Sequence, residues 1–155
     1  MKKILFLSFA LALALALLAP AGLFADVGEG ELARFKSAFT SKIISDNPGR
    51  EAEVRSCLAS IVKQGNSGTR LIDRFGLFLY DSARNGLELE RIRFFRYGAT
   101  AAFFIILKDS SDGRLYSLYL EYVFTGAGAV RLDSTYFSMV YSEKIKSVTS
   151  FFGGE

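Results

Sequence analysis

The chain has 155 residues, with 19 basic and 16 acidic side chains, one cysteine and no histidine. The lack of histidine excludes Ser-His-Asp and Cys-His catalysis and removes the usual near-neutral general base and most transition-metal sites. Because Cys57 is the only cysteine, no intramolecular disulfide can form.

The N-terminal segment has the three parts of a secretory signal peptide. Met1-Lys2-Lys3 is a positive start, residues 4–18 are an apolar run in which Ser8 is the one polar residue, and Ala19-Pro20-Ala21 is a small-x-small cleavage pattern. A second cleavage pattern ends at Ala25, and both cleavage sites stay open. We predict a signal peptide over residues 1–25 and export to the periplasm or out of the cell. An uncleaved segment would instead anchor the domain to a membrane.

Removal of 25 of the 155 residues leaves 130, the size of one domain. The removed segment contains Lys2 and Lys3, so residues 26–155 keep 17 basic against 16 acidic side chains. This near balance provides no basic surface for a nucleic acid. We therefore predict a single domain over residues 26–155 that does not bind nucleic acid.

Two helices are predicted at the start of this domain. Between Glu31 and Ile44, apolar residues recur at spacings of three and four, which is typical of an amphipathic helix. Asn47 can cap a second helix with Pro48 at its first position, and the apolar pattern of that helix runs to about Gln64. The apolar side of this second helix consists of Val54, Cys57, Leu58, Ile61 and Val62.

Residues 69–84 fit two structures. Their apolar spacing suits a helix capped by Thr69 and closed by Asn85-Gly86, whereas residues 77–80 also suit a strand that enters an Asn-Gly hairpin. We favour the helix.

From Leu87 onward, aromatic and β-branched runs alternate with short turn signals. These runs predict four consecutive antiparallel strands, long enough for the sheet to be twisted and curved. The strands are Leu87 to Tyr97, Thr100 to Lys108, Arg114 to Phe124 and Ala129 to Tyr141.

Alternate side chains of a strand leave on opposite faces of the sheet. In the third strand, the face of Tyr116, Leu118, Leu120, Tyr122 and Phe124 is predicted to lie in the core under the helices. The other face carries Leu115, Ser117, Tyr119, Glu121 and Val123. The second strand is apolar on both faces between Ala101 and Leu107, which indicates helices on both sides or a partner on one.

Two or three helices followed by a curved four-stranded antiparallel sheet resemble the α+β fold of the cystatin-like group, which includes NTF2-like domains. The resemblance is one of architecture. It implies helices against the concave face of the sheet and a pocket at the open end. Since such folds serve as enzymes, ligand binders and dimerising adaptors, the resemblance constrains function little.

Three patterns supply candidate site residues. Glu121 beside Tyr119, and Asp133 in the fourth strand, suit the buried carboxylate and tyrosine that a resemblance to ketosteroid-isomerase-like members implies. Tyr119 and Val123 also belong to an apolar strip that a second copy of the chain could cover. The third pattern is the basic and aromatic first strand, which also contains Arg96 and suits a polyanion or cross-strand ion pairs. Its candidate site residues are Arg91, Arg93, Phe95 and Tyr97.

We assign no catalytic residue, metal site or cofactor. The function expected from the sequence is a non-catalytic binding or interaction domain of the periplasm or cell envelope. Its predicted partner is a second copy bound through the sheet face, an envelope protein or an apolar ligand. The alternative is a small NTF2-like enzyme or hydrophobic-ligand carrier with a pocket between sheet and helices.

Overall fold

The computed structural model describes residues 27–64, 67–126 and 128–138, together with Lys144 and Phe152. The predicted signal peptide lies outside the described residues. The chain divides into two compact units, Met1–Glu31 and Leu32–Glu155. In the first unit, the described residues are 27–31.

The described fold is α+β, as predicted. It contains three helices, α1 (Glu29–Asp46), α2 (Glu51–Leu58) and α3 (Leu71–Arg84). In α1 the predicted apolar stripe is confirmed, because Phe39 and Ile43 are fully buried. The helical interpretation of residues 69–84 is confirmed over Leu71–Arg84 by α3, and the alternative strand at residues 77–80 is wrong. The predicted cap at Thr69 is also wrong, because Thr69 lies in a strand and Arg70 is the N-cap.

The second helix ends at Leu58, short of its predicted end, and the next residues form strand β1 (Ile61–Gln64). This strand pairs antiparallel with β2 (Ser67–Arg70) and, through Ile61 and Val62, parallel with the last strand of the sheet. The helical period alone could not reveal β1, because Ile61 and Val62 also continue the apolar stripe of α2. Once a neighbouring strand is available, β-branched residues favour the strand.

Four long strands follow, β3 (Leu87–Tyr97), β4 (Thr100–Asp109), β5 (Leu115–Gly126) and β6 (Ala129–Ser138). Each begins and ends within two residues of its prediction, except that the predicted end of β6 at Tyr141 lies outside the described residues. The strand order is β2-β1-β6-β5-β4-β3. The sheet is therefore six-stranded and mixed, and the prediction of four antiparallel strands is corrected by the two short strands and the parallel β1–β6 pair.

The core lies between the helices and one face of the sheet, and aromatic rings fill it. Phe39 of α1 stacks on Phe75 of α3 with ring centroids 4.2 Å apart, and Phe75 in turn lies 4.9 Å from Phe103 of β4. Phe152 contacts Phe75 at 5.6 Å and is itself buried. The helices therefore cover the face of β3, β4 and β5 that the alternation predicted as the core.

The edge strand β3 is capped by side chains from the α1–α2 connection. The Asp46 carboxylate accepts a hydrogen bond from the backbone N–H of Ile92 at 2.9 Å. The Asn47 amide accepts from the N–H of Phe94 at 2.9 Å and donates to the carbonyl of Ile92 at 3.0 Å. The predicted role of Asn47 as a helix cap is wrong, because Arg50 holds that position without a side-chain bond. Asn47 instead closes an edge that could otherwise pair with another strand.

Candidate functional site

The sheet has a second face, which we call the outer face, opposite the helices. Side chains of residues that pair across neighbouring strands point to the same face of the sheet. The register therefore places two adjacent rows on this face, one of Phe95, Ala102 and Glu121 and one of Arg93, Phe104 and Tyr119. Seven of the eight predicted site residues therefore share the outer face. They are Arg91, Arg93, Phe95 and Tyr97 on β3 and Tyr119, Glu121 and Val123 on β5.

The eighth predicted residue, Asp133, lies at an irregularity of β6. Glu121 pairs with Ser134 and the next residue of β5 pairs with Leu132, so Asp133 has no direct partner across the strand. Its carboxylate lies 3.5 Å from the guanidinium of Arg131, and both side chains are exposed. Asp133 thus lies on β6 and is not part of the hydrogen-bonded chain of Tyr97, Tyr119 and Glu121.

A hydrogen-bonded chain of three side chains crosses the middle of the outer face. The hydroxyls of Tyr97 and Tyr119 are 2.8 Å apart, and the Tyr119 hydroxyl donates to the Glu121 carboxylate at 2.9 Å. Ala102 lies between the two tyrosine positions in the register and is fully buried. The short side chain of Ala102 leaves room for tyrosines two strands apart to meet.

The chemistry of this cluster is hydrogen bonding at a surface. The hydrogen bond with Tyr97, partial burial and the nearby Glu121 carboxylate raise the pKa of Tyr119. The phenol therefore keeps its proton at ordinary pH. Glu121 is engaged as an acceptor, and the pair lies on the sheet surface, not in the pocket between sheet and helices that a ketosteroid-isomerase-like site implies.

Three of the four large apolar side chains that are exposed among the described residues lie on the outer face. Phe95 is 44% exposed, Tyr97 is 50% exposed, and Leu115 at the start of β5 is 47% exposed. Large apolar side chains that are exposed together on one face mark an interaction surface more often than scattered single ones do. The outer face is therefore the first candidate site.

The helix side of the sheet carries a second candidate, an open groove of about 780 Å³ between α2 and the end of the sheet. The Arg96 guanidinium lies 3.8 Å from the centroid of the Phe124 ring. Its Nε donates to the carbonyl of Gly98 at 3.2 Å. On the facing wall α2 contributes Glu53 and Ser56. We call this feature the Arg96 groove.

Sequence reasoning grouped Arg96 with the other arginines of β3, and that grouping is corrected here. Arg96 pairs in register with the fully buried Ala101, so it points to the helix side, whereas Arg91 and Arg93 point to the outer face. Strict alternation along the strand could have separated them, because Arg96 has the parity of the core residue Phe94.

Cys57 and Tyr122 are buried in the core among apolar side chains. Burial raises the pKa of the Cys57 thiol to about 12, against the opposing charge of Arg96. Burial also raises the pKa of Tyr122, whose hydroxyl has no hydrogen-bond partner among the described residues. Neither group is in a state suited to nucleophilic attack.

Asp109, which sequence reasoning passed over as part of a turn, is a buried carboxylate that ties three parts of the chain together. It accepts hydrogen bonds from the backbone N–H and hydroxyl of Ser111 at 2.9 and 2.6 Å, and from Lys144 at 2.8 Å. The bonds from Lys144 and Ser111 hold the pKa of Asp109 well below its usual range. These contacts fix the β4–β5 turn, so the role of Asp109 is structural.

The described residues contain no group of three or more side chains suited to a metal ion, and none of their helices is long and apolar enough to cross a membrane. In comparisons with known proteins, no protein family, curated protein or solved structure matches the chain. The outer face and the Arg96 groove are therefore the features from which a function can be inferred.

Proposed function

We propose that this chain is an exported, non-catalytic interaction domain that binds its partner through the outer face of the sheet. The observation that carries the proposal is the half-exposed pair Phe95 and Tyr97 on a face opposite the helices. The core side is filled by stacked aromatic rings, so the apolar surface open to a macromolecule lies on the outer face.

The proposed compartment follows from the N-terminal segment. Its positive start, apolar run and small residues support export, and hence a partner in the periplasm or cell envelope. The charge balance of residues 26–155 supports a protein partner over a nucleic acid. Kinship with the cystatin-like and NTF2-like group is part of the proposal. Helices packed on one face of an antiparallel meander support it, whereas β1 and β2 are additions to the expected sheet.

Site-specific photo-crosslinking in the producing cells tests the proposal. A photoreactive phenylalanine analogue is placed at Phe95 or Tyr97 in the full chain, and at Arg55 as a control. Arg55 is exposed on α2, on the helix side. We expect cross-linked products from the two outer-face positions and little from the control. Equal products from all three positions, or none from the outer face, would contradict an interaction through this face.

The Arg96 groove supports a second candidate function, the carriage of a small apolar or anionic ligand. Arg96 forms no ion pair within 4.0 Å among the described residues, and the Phe124 ring beside it offers an apolar surface. Native mass spectrometry of protein purified from its own compartment tests this function. A bound small molecule that is lost in Arg96→Gln would support a carrier, and ligand-free protein would contradict it.

A further inference from the structure

The outer face is as large as a protein interface. Strands β3 to β6 have 11, 10, 12 and 10 residues. Four strands at about 4.8 Å spacing and about 10 residues at 3.3 Å span roughly 19 by 33 Å, or about 600 Å² before the relief of side chains is added. A stable dimer of standard size buries about 800 Å² on each partner. The occupant that fits this face is therefore another protein surface of similar extent.

The charges on the face have the arrangement of an interface, with an apolar middle and a polar rim. The central strands β4 and β5 contribute Phe104, Ile106 and Tyr119, all partly buried. The charged side chains Arg91 and Arg93 lie on the outermost strand β3. On the other side, β6 carries Arg131 and Asp133. Glu121, the one carboxylate that β4 and β5 carry on the outer face, already accepts a hydrogen bond from Tyr119.

This arrangement is complementary to itself. In a two-fold dimer the same patch meets its own copy, so residues near the axis should be uncharged. If the two-fold axis runs parallel to the strands, between β4 and β5, then β4 of one copy faces β5 of the other. The apolar central strands of the two copies are then in contact. Strand β3 of one copy, with Arg91 and Arg93, then lies over β6 of the other, which carries the Arg131–Asp133 ion pair. Aligned sheets that pack in this way cross at about 30°.

We propose, resting on the interaction function above, that the occupant of the outer face is a second copy of this chain, packed sheet on sheet. Sedimentation of the chain purified without residues 1–25 tests the proposal. We expect a dimer at 100 µM, that is, on the order of 10⁻⁴ M. A monomer at this concentration would overturn the proposal, since an interface of standard size holds most partners at micromolar or lower dissociation constants.

Lysine substitutions locate the interface. Val123→Lys puts a charge in the middle of the outer face, and Tyr97→Lys changes a half-exposed residue whose loss leaves the core intact. Each should weaken self-association roughly 100-fold. The charge of Val123→Lys is desolvated near the axis, whereas the charge of Tyr97→Lys lies over Arg131 of the other copy, because Tyr97 and Arg131 share one row of the sheet. Ser37→Lys, at an exposed position of α1 on the helix side, should leave the dimer unchanged. A folded Tyr97→Lys variant that still dimerises like the unmodified chain would place the interface elsewhere and overturn the proposal.

Failure of the dimer and failure of the interaction function give different results. If the chain sediments as a monomer while photo-crosslinking at Phe95 captures a different protein, the dimer proposal is wrong, but the proposal that the outer face binds a partner is supported. If the chain is a monomer and the outer-face positions give no product, both are wrong.

Discussion

The Cys57 thiol should be almost inert in the folded protein. Its side chain is 1% exposed, and burial raises its pKa to about 12. At pH 8, a thiol with this pKa is ionised in about one molecule in 10⁴, whereas a thiol at the ordinary pKa of about 8.5 is ionised in about a quarter. Because the thiolate is the nucleophile, ionisation alone should slow labelling by about three orders of magnitude.

The assay compares the rate of reaction with a bulky disulfide reagent in native buffer and in denaturing urea at the same pH. We expect at least a thousandfold difference, since burial also blocks access. Native labelling within about tenfold of the denatured rate would refute the reasoning and place Cys57 at an accessible surface.

The same pKa shift predicts a loss of stability at alkaline pH. A group whose pKa is raised in the folded state stabilises it below the unfolded pKa, and this contribution falls as the pH rises towards the folded pKa. Between an unfolded pKa of about 8.5 and a folded pKa of about 12, each pH unit costs about 1.4 kcal/mol. From pH 7 to pH 10 the loss due to Cys57 is therefore about 2 kcal/mol.

Urea unfolding at pH 7 and pH 10 measures this loss. Other groups titrate in the same range, so the quantity to compare is the pH-dependent loss in the unmodified chain and in Cys57→Ala, which should differ by about 2 kcal/mol. Equal losses would refute the raised pKa. At pH 7, Cys57→Ser should cost about 1–3 kcal/mol, because it buries a more polar group in the same place.

Three further predictions concern the edge of the sheet, the β4–β5 turn and the N-terminus. Asn47→Ala should lower the free energy of unfolding by about 1–3 kcal/mol, because it leaves backbone groups of β3 unsatisfied. In Asp109→Asn, the free energy of unfolding should fall less steeply with decreasing pH than it does in the unmodified chain. Because the pKa of Asp109 is lowered in the folded state, its ionised carboxylate stabilises the fold above about pH 4, and this contribution is lost as the pH falls towards 2 and below. Mass spectrometry of the exported protein should find its first residue within residues 22–26.

Each of these measurements has a control or an outcome that contradicts it. Ser45→Ala removes an exposed hydroxyl that bonds only within α1, so it should change stability little. An equal effect of Ser45→Ala and Asn47→Ala would deny a special role to the β3 edge. Ser110→Ala, in the same turn as Asp109, removes no titratable group, so the free energy of unfolding should fall with decreasing pH as it does in the unmodified chain. Exported protein that still begins at Met1 would contradict cleavage and indicate a membrane anchor.

The local sequence pattern was enough to predict helices and strands that depend mainly on residues close in sequence. The buried stripe of α1, the helix α3 and the bounds of β3 to β5 follow from periodicity and turn residues. Alternation also predicted which face of β5 enters the core, because side-chain direction along a strand depends only on the backbone.

Contacts between distant parts of the chain decided the rest. Ile61 and Val62 form a strand because they pair with β6, more than 60 positions further along the chain. Asn47 serves β3 instead of α2 because the sheet edge brings unpaired backbone groups beside it.

The candidate site also depends partly on local sequence and partly on contacts between distant strands. Sequence by itself determined that Tyr97 and Tyr119 are strand residues, each on a known face of its own strand. That their hydroxyls meet over Ala102 depends on the register of three strands. A one-residue slip in that register would send one tyrosine to the opposite face. Because register is set by the packing of the whole sheet, only the tertiary structure could join the separate candidates into one outer face.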